Sequence, residues 1–157
     1  MNRSKPLTIL LIATISLFFL SAAIALPILC RPYYYWQIDA LDLVGRTGFD
    51  YDTIRAAYDD VMDYLLRGGA FRTGALEWSS DGFAHFADCR LLFHTDFTLA
   101  VSSAVLLGAL YALRRWKQIE FVRFLGKGPA FWAFAVLAAF SLILGLWALA
   151  DFNSLFR

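Results

Sequence analysis

PAFWAFAVLAAFSLILGLWALA, residues 129–150, runs twenty-two residues without a charge. About 20 mostly apolar residues suffice for a helix to cross roughly 30 Å of hydrocarbon, so this stretch predicts a membrane span. Pro129 suits the first turn of a helix, where its missing N–H costs nothing. Two further stretches qualify, residues 7–29 and the shorter 97–113, and neither holds a charge. The whole chain agrees: of 157 residues 60% are hydrophobic and 17% charged, with a mean hydropathy of +0.58. Soluble chains average roughly 45–50% apolar and about 25% charged. This composition excludes a disordered chain and argues against a water-soluble enzyme. The net charge of +1 argues against a nucleic-acid partner. Two cysteines are too few for a disulfide scaffold or a four-cysteine zinc site. The expected fold class is an all-α integral membrane protein, one membrane domain over residues 1–157, with membrane lipids as its surroundings.

Arg3 and Lys5, followed by Ala23-Ile24-Ala25, also resemble a cleavable signal peptide. The apolar run far exceeds the usual 7–15-residue signal core, so residues 7–29 are read as an uncleaved first span. Residues 114–128 carry Arg114, Arg115, Lys117, Arg123 and Lys127 against Glu120 alone, whereas residues 31–96 carry six Arg against eleven Asp plus Glu. Short basic segments stay in the cytoplasm. The expected location is the cell membrane, multi-pass, with the N-terminus and the 114–128 loop inside and residues 31–96 outside.

Residues 31–96 are too many for a plain loop. Ile54, Ala57, Tyr58, Val61, Met62, Leu65 and Leu66 recur at helical spacing on one stripe, with Asp59, Asp60 and Asp63 off it, and Gly68-Gly69 as a stop. The acidic cluster reads as a solvated face. Ser79-Ser80-Asp81 is an N-cap cluster opening a second helix, on which Phe83, Phe86, Leu91, Leu92 and Phe93 give an apolar surface. Asp81, His85 and Asp88 form one polar stripe on it. A straight helix from His85 to Phe97 would lift His85 about 18 Å from the span. The expected arrangement is therefore a segment lying in the membrane interface, with His85 near lipid ester bonds. Tyr33-Tyr34-Tyr35-Trp36 reads as an interfacial aromatic belt, and Gly108, Gly145 and the alanines of residues 129–150 suit close helix packing.

His85 is the most informative side chain, because imidazole takes and returns protons near neutral pH. Asp88 or Asp81 can orient such a ring and stabilise its cation; a histidine-x-x-aspartate spacing alone fits a plain acid–base pair equally well. Asp81, His85 and Asp88 are also three potential metal ligands, though two carboxylates and one imidazole on one helix are an uncommon zinc set. Cys89, one turn after His85, is either a nucleophile with a histidine base or a small buried hydrophobe. Cys30 and Cys89 both fall on the outer segment, which permits a disulfide. Arg90 either binds a phosphate or carboxylate or snorkels to headgroups. His94, half a helical turn from His85, cannot share its site on a straight helix. The residues alone leave two functions open, a membrane enzyme and a non-enzymatic scaffold or partner-binding subunit.

The pattern Tyr58-x-x-Val61-Met62-x-Tyr64-Leu65, Glu77, then His85-Phe86-x-Asp88-Cys89-Arg90-x-Leu92-Phe93 resembles the lipoprotein intramolecular transacylase (Lit) family of small bacterial membrane proteins. The family's pattern has Asp-Val-Lys after its histidine; Cys89 and Arg90 stand here in place of the last two. Asp151-Phe152-x-x-Leu155-Phe156 resembles the start of its motif after the third span. The resemblance implies a four-helix membrane protein with its site on the outer face, and no cofactor. It implies a diacylglyceryl lipoprotein substrate, whose sn-2 acyl chain moves to the amine of the same N-terminal cysteine to give a lyso-form lipoprotein. His85 matches the family's first functional histidine and becomes the general base, with Asp88 beside it; Glu77 and Arg90 become candidates for holding the substrate headgroup. The family's second histidine and fourth span would follow Arg157, so the expectation is a truncated copy that lacks half of the family's catalytic pair.

Overall fold

The computed structural model describes residues 3–150, which leaves the Asp151–Phe156 motif outside the described residues. In chain order the elements are β1 (Arg3–Ser4), α1 (Lys5–Leu29), α2 (Arg31–Ala40), α3 (Leu43–Thr47), α4 (Tyr51–Arg67), α5 (Ser80–Lys117), β2 (Glu120–Phe121) and α6 (Pro129–Ala150). The chain is an all-α membrane protein; β1 and β2 add only a two-residue parallel pairing. Three helices, α1, α5 and α6, are long and apolar enough to cross a membrane. The chain forms two compact units, residues 22–98 and residues 1–21 with 99–157.

The helix starts follow from local chemistry. Asp50 caps α4, its carboxylate accepting the Thr53 N–H at 2.8 Å. That bond holds the Asp50 pKa below the ordinary carboxylate range. Gly68, at φ +85°, ends α4 by donating its N–H to the Tyr64 carbonyl at 3.0 Å, as the Gly-Gly signal predicts. Ser79 caps α5, its hydroxyl accepting the Gly82 N–H at 3.0 Å.

Two expectations change here. The segment around His85 is not a separate interfacial piece: α5 runs from Ser80 to Lys117 as one helix of 38 residues. A bilayer needs only about 20, so the helix has residues to spare beyond the charge-free run 97–113. Nothing between them breaks it, since neither Pro nor a Gly pair interrupts Phe83–Ala112. Gly108 and Gly145 are not packing contacts either, because a Cβ at either position meets nothing within 4 Å. In the unit formed by residues 1–21 and 99–157, the buried small residues among those described are Thr8, Thr14, Ser16, Ser21, Ser103 and Ala133. Ser16 donates to the Ile12 carbonyl at 3.0 Å and lies 3.2 Å from that of Ala133, so α1 and α6 approach closely there.

In the unit of residues 22–98, the stripe expected on α4 is the packed face. Ile54, Ala57, Met62 and Leu65 are buried, and Tyr58, Val61 and Leu66 are partly so. Tyr64 is buried as well, under Phe71 and Phe83. Phe86, Cys89 and Phe93 of α5, at i, i+3 and i+7, pack against this cluster.

The acidic cluster is not simply a solvated face. Asp59 and Asp63 grip Arg31 of α2, at 3.0 and 2.5 Å, and Tyr35 donates its hydroxyl to Asp59 at 2.6 Å. Asp60 accepts the Gly74 N–H at 3.0 Å, pinning the 68–79 connection to α4. Gly74 must be glycine there: its φ is +60°, and a Cβ would lie 3.2 Å from the Ala57 backbone nitrogen. The tyrosine run is likewise only partly a belt. Tyr34 stacks on Tyr58 at 3.7 Å, whereas Tyr33 and Trp36 are exposed.

Candidate functional site

The pinned connection shapes a cavity of about 740 Å³ within residues 22–98. Its walls are Pro27 and Ile28 of α1, Tyr34 of α2, the packed face of α4, Leu76, and Phe86 and Phe93 of α5. The size falls in the range of small-molecule sites, which are mostly apolar with few polar groups. Glu77 is the one charged residue lining it. A turn places it there, in which Thr73 donates its hydroxyl to the Leu76 carbonyl at 2.6 Å. Burial pushes the Tyr34 and Tyr58 phenols above their ordinary range.

His85 does not line this cavity, but its neighbour Phe86 does, with ring centroids 5.7 Å apart. The imidazole is exposed. Its closest polar partner is Cys89, whose Sγ is 3.5 Å from Nε2. Asp88, expected to orient the ring, is exposed and makes no hydrogen bond to it in the described structure. Helical spacing put both carboxylate and thiol one turn away; the face of α5 that packs on α4 decides between them, and it carries Cys89. Asp81, His85 and Asp88 do not converge, and among the described residues no three His, Cys, Asp or Glu side chains are placed to hold a metal ion. Cys30 and Cys89 are both free thiols.

Arg90 is half-buried and committed to packing. Its guanidinium lies 5.3 Å from the Tyr64 ring centroid, against Gly68, where any side chain would collide with it. A cation at the C-terminal end of α4 also suits the helix dipole. Sequence reasoning missed Asp96. One of its carboxylate oxygens is buried with no hydrogen-bond partner among the described residues, a condition that costs roughly 1–3 kcal/mol. Its position just before the charge-free run was the only available signal.

An exposed imidazole beside a walled apolar cavity, on a chain with three potential spans, fits chemistry on a lipid-linked substrate. The model of the lipoprotein intramolecular transacylase family, Lit, matches residues 9–157. The chain belongs to the Lit family. Its fold is similar to that of the membrane-integral Lit from Bacillus cereus, with a TM-score of 0.73 at 19% identity. That likeness covers 96% of this chain and 67% of the Bacillus protein. No curated protein matches the sequence. The family match and the three apolar helices make this Lit-family chain a multi-pass membrane protein.

Proposed function

We propose that this Lit-family chain moves the sn-2 acyl chain of a diacylglyceryl lipoprotein to the α-amine of the lipoprotein's own N-terminal cysteine. The amine attacks the ester carbonyl, a C–N bond forms, the C–O bond to glycerol breaks, and a lyso-form lipoprotein results. Atoms balance without a cofactor, because amine and ester belong to one molecule and positioning supplies much of the rate. His85 takes the proton from the attacking amine and returns it to the departing glycerol oxygen. Asp88, at i+3, supports the ring's cationic form through space. The 740 Å³ cavity receives acyl chain, with Glu77 at its wall drawing the substrate ammonium inward. Arg90, steadied over Tyr64, offers its remaining N–H donors to the polar head. On the charge map the N-terminus is cytoplasmic and residues 31–96 face outward.

One observation carries this reading: His85 is open to incoming substrate while its adjacent ring, Phe86, forms a wall of the apolar cavity. The test is mass spectrometry of lipoprotein N-termini from cells expressing the His85→Ala protein. Loss of a general acid–base typically costs 10²–10⁴-fold, so lyso-form product falls below detection while the protein stays in the membrane. Unchanged acylation in that variant refutes the assignment.

A further inference from the structure

Lys117 and Pro129 end two successive helices that are each able to cross a membrane, so the connection between them lies at a bilayer surface. It is not a loose loop. Glu120 and Phe121 pair with Arg3 and Ser4 as parallel strands. Thr8, fully buried, accepts the Val122 N–H on its hydroxyl at 2.8 Å and donates that hydroxyl to the Ser4 carbonyl at 2.7 Å. Trp132 donates its indole N–H to the Phe124 carbonyl at 3.1 Å.

These bonds frame a cavity of about 550 Å³ at the start of α6, lined by Arg114, Arg123, Glu120, Phe121 and Val122. The Arg114 guanidinium rests 5.7 Å from the Phe121 ring centroid, which fixes its place. None of the ion pairs among the described residues uses Arg114 or Arg123. Guanidinium forks match the oxygens of a phosphate, which two of them can grip from different sides. The same connection carries two large apolar side chains at its edge, Trp116 at 81% exposure and Leu125 at 86%. In water such exposure is costly; at a bilayer surface these side chains enter the acyl boundary.

We propose that this cavity binds the phosphate of an anionic phospholipid, held by Arg114 and Arg123, with Trp116 and Leu125 anchoring the connection in the lipid. The topological preference of basic loops accounts for positive charge on this segment. It does not account for two arginines lining one walled cavity, and basic pockets at helix ends are a recurring mode of headgroup recognition.

The experiment is native mass spectrometry of the purified full chain from detergent containing equal phosphatidylglycerol and phosphatidylcholine. The expected result is selective retention of phosphatidylglycerol, lowered about fivefold by Arg114→Gln and again by Arg123→Gln, the scale of one basic side chain at an anionic surface. Lys127→Gln removes the same charge from the connection without touching the cavity, since Lys127 sits over the Phe131 ring; it leaves retention unchanged. Equal retention of the two lipids by the unaltered protein overturns the proposal without recourse to any variant. Equal losses in all three variants overturn it in favour of bulk charge. Full displacement by soluble glycerol phosphate at matched concentration assigns the site to free phosphate instead.

Discussion

α4 and α6 are similar in length and opposite in construction. α4, with 17 residues, buries Ile54, Ala57, Met62, Tyr64 and Leu65 and turns its acids outward to Arg31 and to Gly74. α6, with 22 residues, buries Ala133 alone and leaves Phe131, Phe140, Leu142, Ile143, Leu146 and Trp147 exposed. Water forces the first arrangement, because apolar area removed from it stabilises the fold by roughly 25 cal/mol per Å². Lipid permits the second, since tails are as apolar as leucine and only close packing and hydrogen bonds favour one helix contact over another.

The comparison breaks if equal truncations on the two helices have equal effects. Leu65→Ala, at a site 3% exposed, is expected to destabilise by about 2–5 kcal/mol, read as a lower thermal midpoint in detergent. Leu146→Ala on the exposed side of α6 changes stability by no more than about 0.5 kcal/mol, leaving that midpoint nearly unmoved. Glu77→Leu separates function from stability. The fold keeps its thermal resistance, because Glu77 is exposed, whereas kcat/KM falls about tenfold or more with the loss of a charge-assisted contact. Ala133→Leu probes the other unit: Ala133 is 0% exposed against α1, so overpacking is expected to cost about 1–3 kcal/mol.

A small effect is expected at Arg31→Gln, on α2, whose guanidinium meets the acids of α4. Arg31 hydrogen-bonds Asp63 and thereby holds its pKa below the ordinary carboxylate value. The stabilisation is present at neutral pH and is lost as pH falls through that lowered value. The variant therefore melts slightly earlier than the unaltered protein at neutral pH, and the two converge once the pH lies below the carboxylate range. A gap that widens on acidification contradicts the pairing.

What the sequence made legible divides along the same line. The spans, the α4 stripe, the Gly68 stop and the Ser79 cap are local patterns, set by residues within one or two turns of one another. The roles of Asp59 and Asp63 depend on Arg31, 28 and 32 residues away, and no local period encodes that pairing. The cavity wall is longer-range still, since Gly74 reaches α4 through Asp60. Around His85 the helix was legible, whereas the nearest polar neighbour of the imidazole was not. Asp88 and Cys89 are both one turn away, and only the packing of Cys89 on the Met62–Leu65 cluster distinguishes them. The unbroken α5 also escaped sequence reasoning, because wet aromatics appeared too costly until Phe83 and Phe86 found Phe71.

The central claim is that the imidazole at position 85 stands open on the outer side of the membrane. Its most direct test is a single cysteine at position 85, with Cys30 and Cys89 replaced by serine, labelled in intact cells by a membrane-impermeant maleimide. The account predicts rapid labelling without permeabilisation, slowed by added diacylglyceryl lipopeptide. Labelling only after the cells are opened contradicts it.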